Sequence, residues 1–305
     1  MRHLTVILYT FVAASGIASA QSQELILPIV VNGYVKQPIH FQTIFRIVNL
    51  SATATEVALE AFQNDGTPVR LLELFPIPRP GTKTVLKVDP LGSAEAFTAE
   101  DVPSFNGWAR VTFDPSANIQ ISSEVALING IVGPHPICQR PSTEIITSAQ
   151  VPPVKAAFKF SAFAVNRPNR QSGYAFVNPS PTDTVDVFLS LLDSTGKLVA
   201  SGNLKILPQA RISKLLSELV SSPPSDFMGT LRVTIANGPL IGVGALNILF
   251  PEGKFLELPV TPVNVVCTAV QQAARNPLTG ECRLFGSPCV IPEGWLLVDS
   301  CAGKK

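Results

Sequence analysis

Charged side chains are scarce in this sequence, and their shortage excludes one class of partner. They make up 15% of the 305 residues and give a net charge of +1, whereas typical soluble domains carry about 25%. Nucleic-acid binding needs clustered lysine and arginine to displace counterions, and no such cluster is present. We therefore expect no nucleic-acid partner.

Residues and motifs of common active sites are also few. The chain has three histidines, and only His40 and His135 lie beyond the first 20 residues, so a Ser-His-Asp triad or a histidine-rich metal site has little to use. The G-x-S-x-G, P-loop, H-E-x-x-H and calcium-loop motifs are absent. Four carboxylates occupy positions typical of surface charge: Glu56, Glu60, Asp183 and Asp186. We predict a protein that is not an enzyme and binds no cofactor or metal.

Long apolar runs are missing beyond the N-terminus. Residues 1–20 combine a basic start, a short apolar run and the exit pattern Ala18-Ser19-Ala20, which predicts a signal peptide cleaved before Gln21. The stretch 235–250 is apolar but is broken by Asn237-Gly238-Pro239, which predicts a turn between two strands. We therefore expect a secreted, periplasmic or cell-surface protein with no stable membrane span.

What the sequence does contain is an internal repeat. FNGWARVTF begins at Phe105 and FMGTLRVTI begins at Phe227. Upstream, FRIVNLSATATEVALEAFQNDGTPV matches YAFVNPSPTDTVDVFLSLLDSTGKLV, which aligns Asn49 with Asn178. Two matches in the same order predict two copies of one domain, with loops of different length between retained strands.

Apolar residues within each copy alternate with a period of two, as in strands that bury one face. Asn64-Asp65-Gly66 and the stretch 193–196 then supply hairpin turns. Together with 27 prolines, this predicts an all-β fold: two tandem immunoglobulin-like antiparallel β-sandwiches. Helical spacing in Arg211–Val220 predicts a short amphipathic helix, with Ser93–Ala99 as its weaker counterpart.

These patterns divide the chain into five parts. The signal peptide covers 1–20, the first repeat 21–131, a proline-rich connector 132–155, the second repeat 156–264 and a cysteine-rich tail 265–305. Within the connector, Glu144–Ser148 is expected to form an edge strand. The proline clusters around it are expected to hold the two sandwiches apart.

The tail contains four of the five cysteines, in the pattern C-x14-C-x6-C-x11-C. Zinc ribbons use C-x2-C pairs, which are missing, and export favours disulfides. We predict two bridges, of open connectivity, among Cys267, Cys282, Cys289 and Cys301. Trp295 is expected to form a miniature core in this tail. Cys138, in the connector, is expected to be an unpaired thiol, with pairing between chains as the alternative.

Trp108 and Arg110 are the residues most suited to contact a ligand. Both lie on the outward face of their expected strand, where an aromatic ring can stack on a sugar or anchor a partner. Packing of Trp108 under a loop is the other interpretation. Asn49-Leu50-Ser51 fits a glycosylation sequon, but proline blocks the sequon at the equivalent Asn178, which favours a turn-forming role for both asparagines.

The motifs G-W-A-R-V, V-N-P-S, G-T-L-R-V and L-E-L-P-V resemble those of uncharacterised exported bacterial proteins built from tandem β-sandwich repeats. The resemblance covers Leu25–Val260, and the tail is similar to small cysteine-rich segments of such proteins. It implies the fold and an exported location and carries no activity.

Three functions remain open at this point. The first is a non-enzymatic spacer or adhesion module with a protein or polysaccharide partner. The second is a carbohydrate- or ligand-binding module that uses Trp108 or loops at one end of a sandwich. The third is a protease inhibitor that presents Arg275 or Arg283 on a rigid loop of the tail.

Overall fold

A computed structural model describes residues 22–36, 39–73, 83–98, 104–129, 144–250, 253–263 and 270–301. Almost all of its regular structure is β, in two large antiparallel sheets and a small third one. The all-β prediction is therefore confirmed. The expected signal peptide, most of the connector and the cysteines Cys138 and Cys267 lie outside the described residues. No helix in the described ranges has the length and apolarity that a membrane span requires.

The first large sheet forms the first sandwich. Its strands are β1 (Gln23–Lys36), β2 (Ile39–Asn49), β3 (Thr55–Gln63), β4 (Pro68–Val69), β5 (Leu71–Glu73), β6 (Lys83–Val88), β7 (Ser93–Thr98), β8 (Phe105–Phe113), β9 (Ile119–Asn129) and β10 (Glu144–Val151). One layer contains β1, β8, β3, β6 and β4, and the other contains β10, β9, β2, β7 and β5. Strand β1 belongs to both layers, because Gln23–Asn32 pairs with β8 and Gly33–Lys36 pairs with β2.

The second large sheet forms the second sandwich. Its strands are β11 (Lys159–Arg167), β12 (Arg170–Val177), β13 (Val185–Leu192), β14 (Leu198–Ile206), β15 (Arg211–Leu215), β16 (Phe227–Asn237), β17 (Gly242–Leu249), β18 (Lys254–Glu257) and β19 (Val260–Pro262), with the one-turn helix α1 (Leu216–Leu219). Strand β16 lies between β13 and β11, while β17 and β15 flank β12.

The two sandwiches share one pairing order. The pairs β2–β9, β2–β7, β1–β8, β3–β8 and β3–β6 have the counterparts β12–β17, β12–β15, β11–β16, β13–β16 and β13–β14. The repeated segments are the central strands β8 and β16. A Cβ atom on Gly107 would lie 1.8 Å from the Phe62 carbonyl oxygen, and one on Gly229 would lie 2.2 Å from that of Leu192. Both glycines are therefore required by a close backbone approach.

Each sandwich buries its own apolar core. The first core includes Leu27, Phe45, Leu59 and Val111 from β1, β2, β3 and β8. The second includes Phe160, Phe176, Leu189, Leu231 and Val243 from the equivalent part of the second sheet. Alternate residues of both layers thus meet between the layers, as the period of two predicts.

Equivalent asparagines, Asn49 and Asn178, stabilise equivalent turns in the two sandwiches. Asn49 and Asn178 are fully buried. The Asn178 Nδ2 donates to the carbonyls of Asp183, Ile206 and Leu207, and its Oδ1 accepts from the amide of Ser180. Asn49 makes the matching bonds to Thr53, Val88, Asp89 and Ser51. The turn-forming role of both asparagines is confirmed.

The observed strands and turns test several local predictions. The edge strand Glu144–Ser148 is confirmed and extends to Val151 as β10. The turns at Gly66 and Gly196 are confirmed, with φ of +89° and +82°. The helix predicted over Arg211–Val220 is wrong in its first half, which is strand β15, because the free edge of β12 is completed there. The helix predicted over Ser93–Ala99 is wrong, since Ser93–Thr98 is strand β7 at the edge of β2.

Candidate functional site

Trp108 lies in an interface between the two sandwiches. Its side chain is fully buried, and its Nε1 donates to the carbonyl oxygen of Gln209 at 2.9 Å. The ring of Phe62 stacks on it with centroids 4.4 Å apart. Trp108 does face outward from its own sandwich, but the second sandwich covers that face. The expectation of a ligand contact at Trp108 is therefore wrong, and the packing interpretation holds.

Arg110 joins the same interface. Its guanidinium lies over the rings of Phe62 and Trp108, 5.7 and 5.5 Å from their centroids. Its Nη2 donates to the carbonyl oxygen of Pro179 at 2.6 Å, and its Nε lies 3.3 Å from Glu24. These contacts place the Arg110 guanidinium within the interface. A ligand contact at Arg110 stays a prediction.

Apolar packing continues along strand β1. Ile26 and Val154 form a two-way backbone bridge at 2.8 Å, and both belong to a buried cluster with Val177 of the second sandwich. A second cluster joins Ile29 and Val125 of the first sandwich to Leu246 of the second. The sandwiches are thus in direct contact along buried surface, and the expectation that the connector holds them apart is wrong.

A cleft of about 790 Å³ opens beside this interface. Its first wall comes from β1, β2, β9, the turn after β3 and the start of β8. Its second wall comes from β12, β15, α1, β17 and β18. Apolar lining residues stand on both walls: Ile29, Val31, Phe41, Val125, Leu246, Ile248 and Phe255. A volume of this size, lined by both apolar and polar side chains, is typical of ligand sites.

Arg211, at the start of β15, is the most deeply buried charged residue lining the cleft. It is 7% exposed, and its Nη1 donates to the Asn64 Oδ1 at 3.2 Å. Its backbone amide donates to the Asn64 carbonyl at 2.8 Å, so the turn of the first sandwich is docked on β15. Burial lowers the pKa of Arg211 to about 9, because a low-dielectric environment disfavours the charged guanidinium.

Three further charged residues line the cleft, and all three are exposed: Lys214, Asp65 and Glu218. The Asp65 carboxylate accepts from the Thr67 amide at 2.9 Å, and that bond lowers its pKa. The Glu218 carboxylate accepts from the Leu215 amide at 2.8 Å. Both carboxylates therefore stabilise their own turns.

The cysteine-rich tail forms the small sheet of β20 (Gln272–Arg275), β21 (Cys282–Phe285) and β22 (Leu296–Val298). Cys282 and Cys301 form a disulfide, and Cys289 is disulfide-bonded as well. Cys267 and Cys138 lie outside the described residues, so their expected states stay predictions.

The core of the tail is shared with the second sandwich. Trp295 packs against Phe285 of the tail and Phe188 of β13, with centroids 5.6 and 5.5 Å away. Phe188, on the outward face of β13, is 4% exposed because the tail covers it. The expected miniature core at Trp295 is confirmed, but a side chain of β13 completes it.

Both tail arginines lie in paired strands. Arg275 is in β20 and Arg283 is in β21, where its guanidinium lies 4.8 Å from the Phe188 ring centroid. The expectation that either residue is presented on a loop is therefore wrong.

The other histidine and carboxylate positions singled out in the sequence lie outside the cleft where the structure describes them. His40 is 3% exposed beside Tyr34, and His135 lies outside those ranges. Glu56 and Asp183 are exposed and Glu60 and Asp186 are half-buried. Glu56 and Glu60 lie on β3, Asp183 in the turn before β13 and Asp186 on β13. No group of three His, Cys, Asp or Glu side chains in the same ranges could hold a metal ion.

Sequence reasoning missed Arg211, the residue that distinguishes the cleft. It lay at the first position of a predicted helix, where an arginine is ordinarily exposed. Its burial depends on contact with Asn64, which is 147 positions away, and no local pattern reports such a contact. Comparison of the chain with protein families, characterised proteins and solved structures finds no match.

Proposed function

We propose that the chain is an exported, non-enzymatic binding protein whose ligand site is the cleft between the two sandwiches. The observation that carries this proposal is the cleft itself, which has a volume of about 790 Å³ and walls from both sandwiches. The buried contacts of Trp108 and Ile26 hold those walls in one relative position. A preformed site needs little ordering when a ligand binds.

Export is supported by three independent features. The first 20 residues have the pattern of a cleaved signal peptide, and the Cys282–Cys301 bridge suits an oxidising compartment. The sequence motifs also resemble those of exported bacterial proteins with tandem sandwiches. The repeat and the shared pairing order support two copies of one immunoglobulin-like domain.

A structural or adhesion role is the second candidate, and the packing of the two sandwiches favours it over a flexible spacer. A unit fixed at Trp108 and Arg110 would transmit force without hinge motion. The inhibitor hypothesis has less support, because Arg275 and Arg283 belong to paired strands. A polysaccharide ligand remains compatible with the proposed site, at the cleft and not at Trp108.

The test is a cleft-blocking variant and a matched control. Ser213 is exposed and lines the cleft, whereas Ser217 is exposed on α1 and does not. We expect members of a panel of oligosaccharides, fatty acids and short peptides to raise the melting temperature of the wild type and of Ser217→Phe. Ser213→Phe should lose that response. Equal responses in both variants, or no response in the wild type, would refute the cleft as a ligand site.

A further inference from the structure

Arg211 is a buried cation with a single neutral side-chain partner among the described residues. The Asn64 Oδ1 accepts from its Nη1 at 3.2 Å, while its Nε has no acceptor. An arginine stays protonated in proteins and carries five N–H donors. A guanidinium held away from water normally has a carboxylate or phosphate partner, because an unpaired buried charge is costly.

The carboxylates that line the cleft do not supply this partner. Asp65 and Glu218 accept from backbone amides of their own turns, and neither forms an ion pair with Arg211. Burial is the physical cause of the altered titration of Arg211. Arg211 therefore lines the cleft and carries a guanidinium whose Nε donor has no acceptor among the described residues.

The other residues that line the cleft indicate the chemical nature of the ligand that would carry this anion. Val31 and Phe41 on the first wall, and Ile248 and Phe255 on the second, line the cleft and are only half-buried. Such walls suit an aliphatic or aromatic body. The charges suit a monoanion, because Arg211 and Lys214 are accompanied by Asp65 and Glu218, a balance that disfavours doubly charged phosphates.

Resting on the proposed function, we propose that the cleft binds a carboxylate carried on an apolar chain, with Arg211 pairing with the carboxylate and the apolar walls covering the chain. Arginine holds a carboxylate through two parallel hydrogen bonds, which gives both affinity and orientation. Fatty acids and the C-terminal ends of apolar peptides share this chemistry.

The experiment measures binding of decanoate and of decanol to the full chain by calorimetry and thermal shift. Decanoate should bind and raise the melting temperature, and decanol should bind roughly 10- to 100-fold more weakly, since it lacks the charge-assisted bonds. Arg211→Gln should weaken decanoate binding by a similar factor and leave decanol binding unchanged. Arg232→Gln, in β16 and outside the cleft, should bind as the wild type does.

Two further measurements identify the source of the carboxylate and show which of the two proposals a negative result overturns. An apolar peptide with a free C-terminus should compete with decanoate if chain ends are the natural source, and the same peptide with an amidated C-terminus should not. The inference is overturned if decanol matches decanoate or if Arg211→Gln binds decanoate normally. If oligosaccharides bind through the cleft and carboxylates do not, the inference fails while the proposed function stands.

Folding of the key variant is controlled independently. Arg211→Met keeps an unbranched side chain and removes the unpaired charge, so its melting temperature should equal or exceed that of the unliganded wild type. Loss of decanoate binding in this stably folded variant would support the role of Arg211. Retained binding there would contradict it.

Discussion

Single buried side chains connect parts of this molecule that are far apart in sequence. Trp108 bonds to Gln209 and Arg110 to Pro179, so two residues of β8 tie the first sandwich to the second. The period of two correctly places Trp108 on the outward face of its strand. It cannot tell whether water or another domain covers that face, because alternation reports only which side a residue points to.

Replacement of Trp108 tests the energetic weight of this interface. Trp108→Phe should lower the free energy of unfolding by about 1–2 kcal/mol through the lost bond and reduced volume, and Trp108→Ala should lower it by about 3–5 kcal/mol. Denaturant unfolding followed by fluorescence of the remaining Trp295 provides the measurement. A loss under about 0.5 kcal/mol for Trp108→Ala would indicate that the residue is solvated.

The buried asparagines permit a matched test in the two sandwiches. Asn178→Ala leaves the carbonyls of Asp183, Ile206 and Leu207 without their donor, which should cost about 1–3 kcal/mol. Asn49→Ala should cost a similar amount. Asn203, exposed on β14, is the control, and its alanine variant should stay within about 0.5 kcal/mol of the wild type in the same denaturant titration.

Strands were predictable from the sequence where they bury one face in the core of their own sandwich. The hairpins after β3 and β13 follow from alternation and turn chemistry. The stretch that contains β15 and α1 was not predicted correctly, because Ile212, Leu215 and Leu216 fit helical spacing equally well. Its first half is extended only because the edge of β12 is available, which is a tertiary fact. Phe188 presents the same difficulty, since the tail that covers it lies about a hundred residues further along the chain.

The tail depends on β13 as well as on its disulfides. Phe188→Ala removes the ring that contacts Phe285, Trp295 and the Arg283 guanidinium. We expect the tail to separate from the second sandwich and to be cleaved at Arg275 or Arg283 by trypsin, with both sandwiches intact on mass analysis.

The control for this test replaces an exposed residue of the same strand region. Thr182→Ala, in the turn before β13, should leave the tail resistant to trypsin. An equally resistant Phe188→Ala protein would show that the bridges alone hold the tail in place.

At the scale of the whole molecule, strands of the two sandwiches approach each other closely. A Cβ atom on Gly244 of β17 would lie 2.3 Å from the Pro28 ring of β1, whereas one on Gly173 of β12 has no neighbour closer than 3.6 Å. The repeat predicts each sandwich separately. The contact between them depends on shape complementarity between faces, and no pattern within either copy encodes it.

Gly244→Ala should therefore loosen the interface. We expect a loss of about 1–3 kcal/mol from overpacking and greater quenching of Trp108 fluorescence by acrylamide. Gly173→Ala is the matched control and should change stability by less than about 0.5 kcal/mol. Quenching that is the same in both variants would mean that the sandwiches tolerate the added methyl group by a local shift.

Strand β1 gives the molecule an unusual weak point. Residues 23–36 complete one layer of the first sandwich, cross to the other and carry Ile26 and Ile29 into the interface. Removal of β1 would expose three buried surfaces at once, so we expect truncation or fusion within this strand to destabilise the fold. The first sandwich is complete only when this strand has paired with β8, some eighty residues later in the chain.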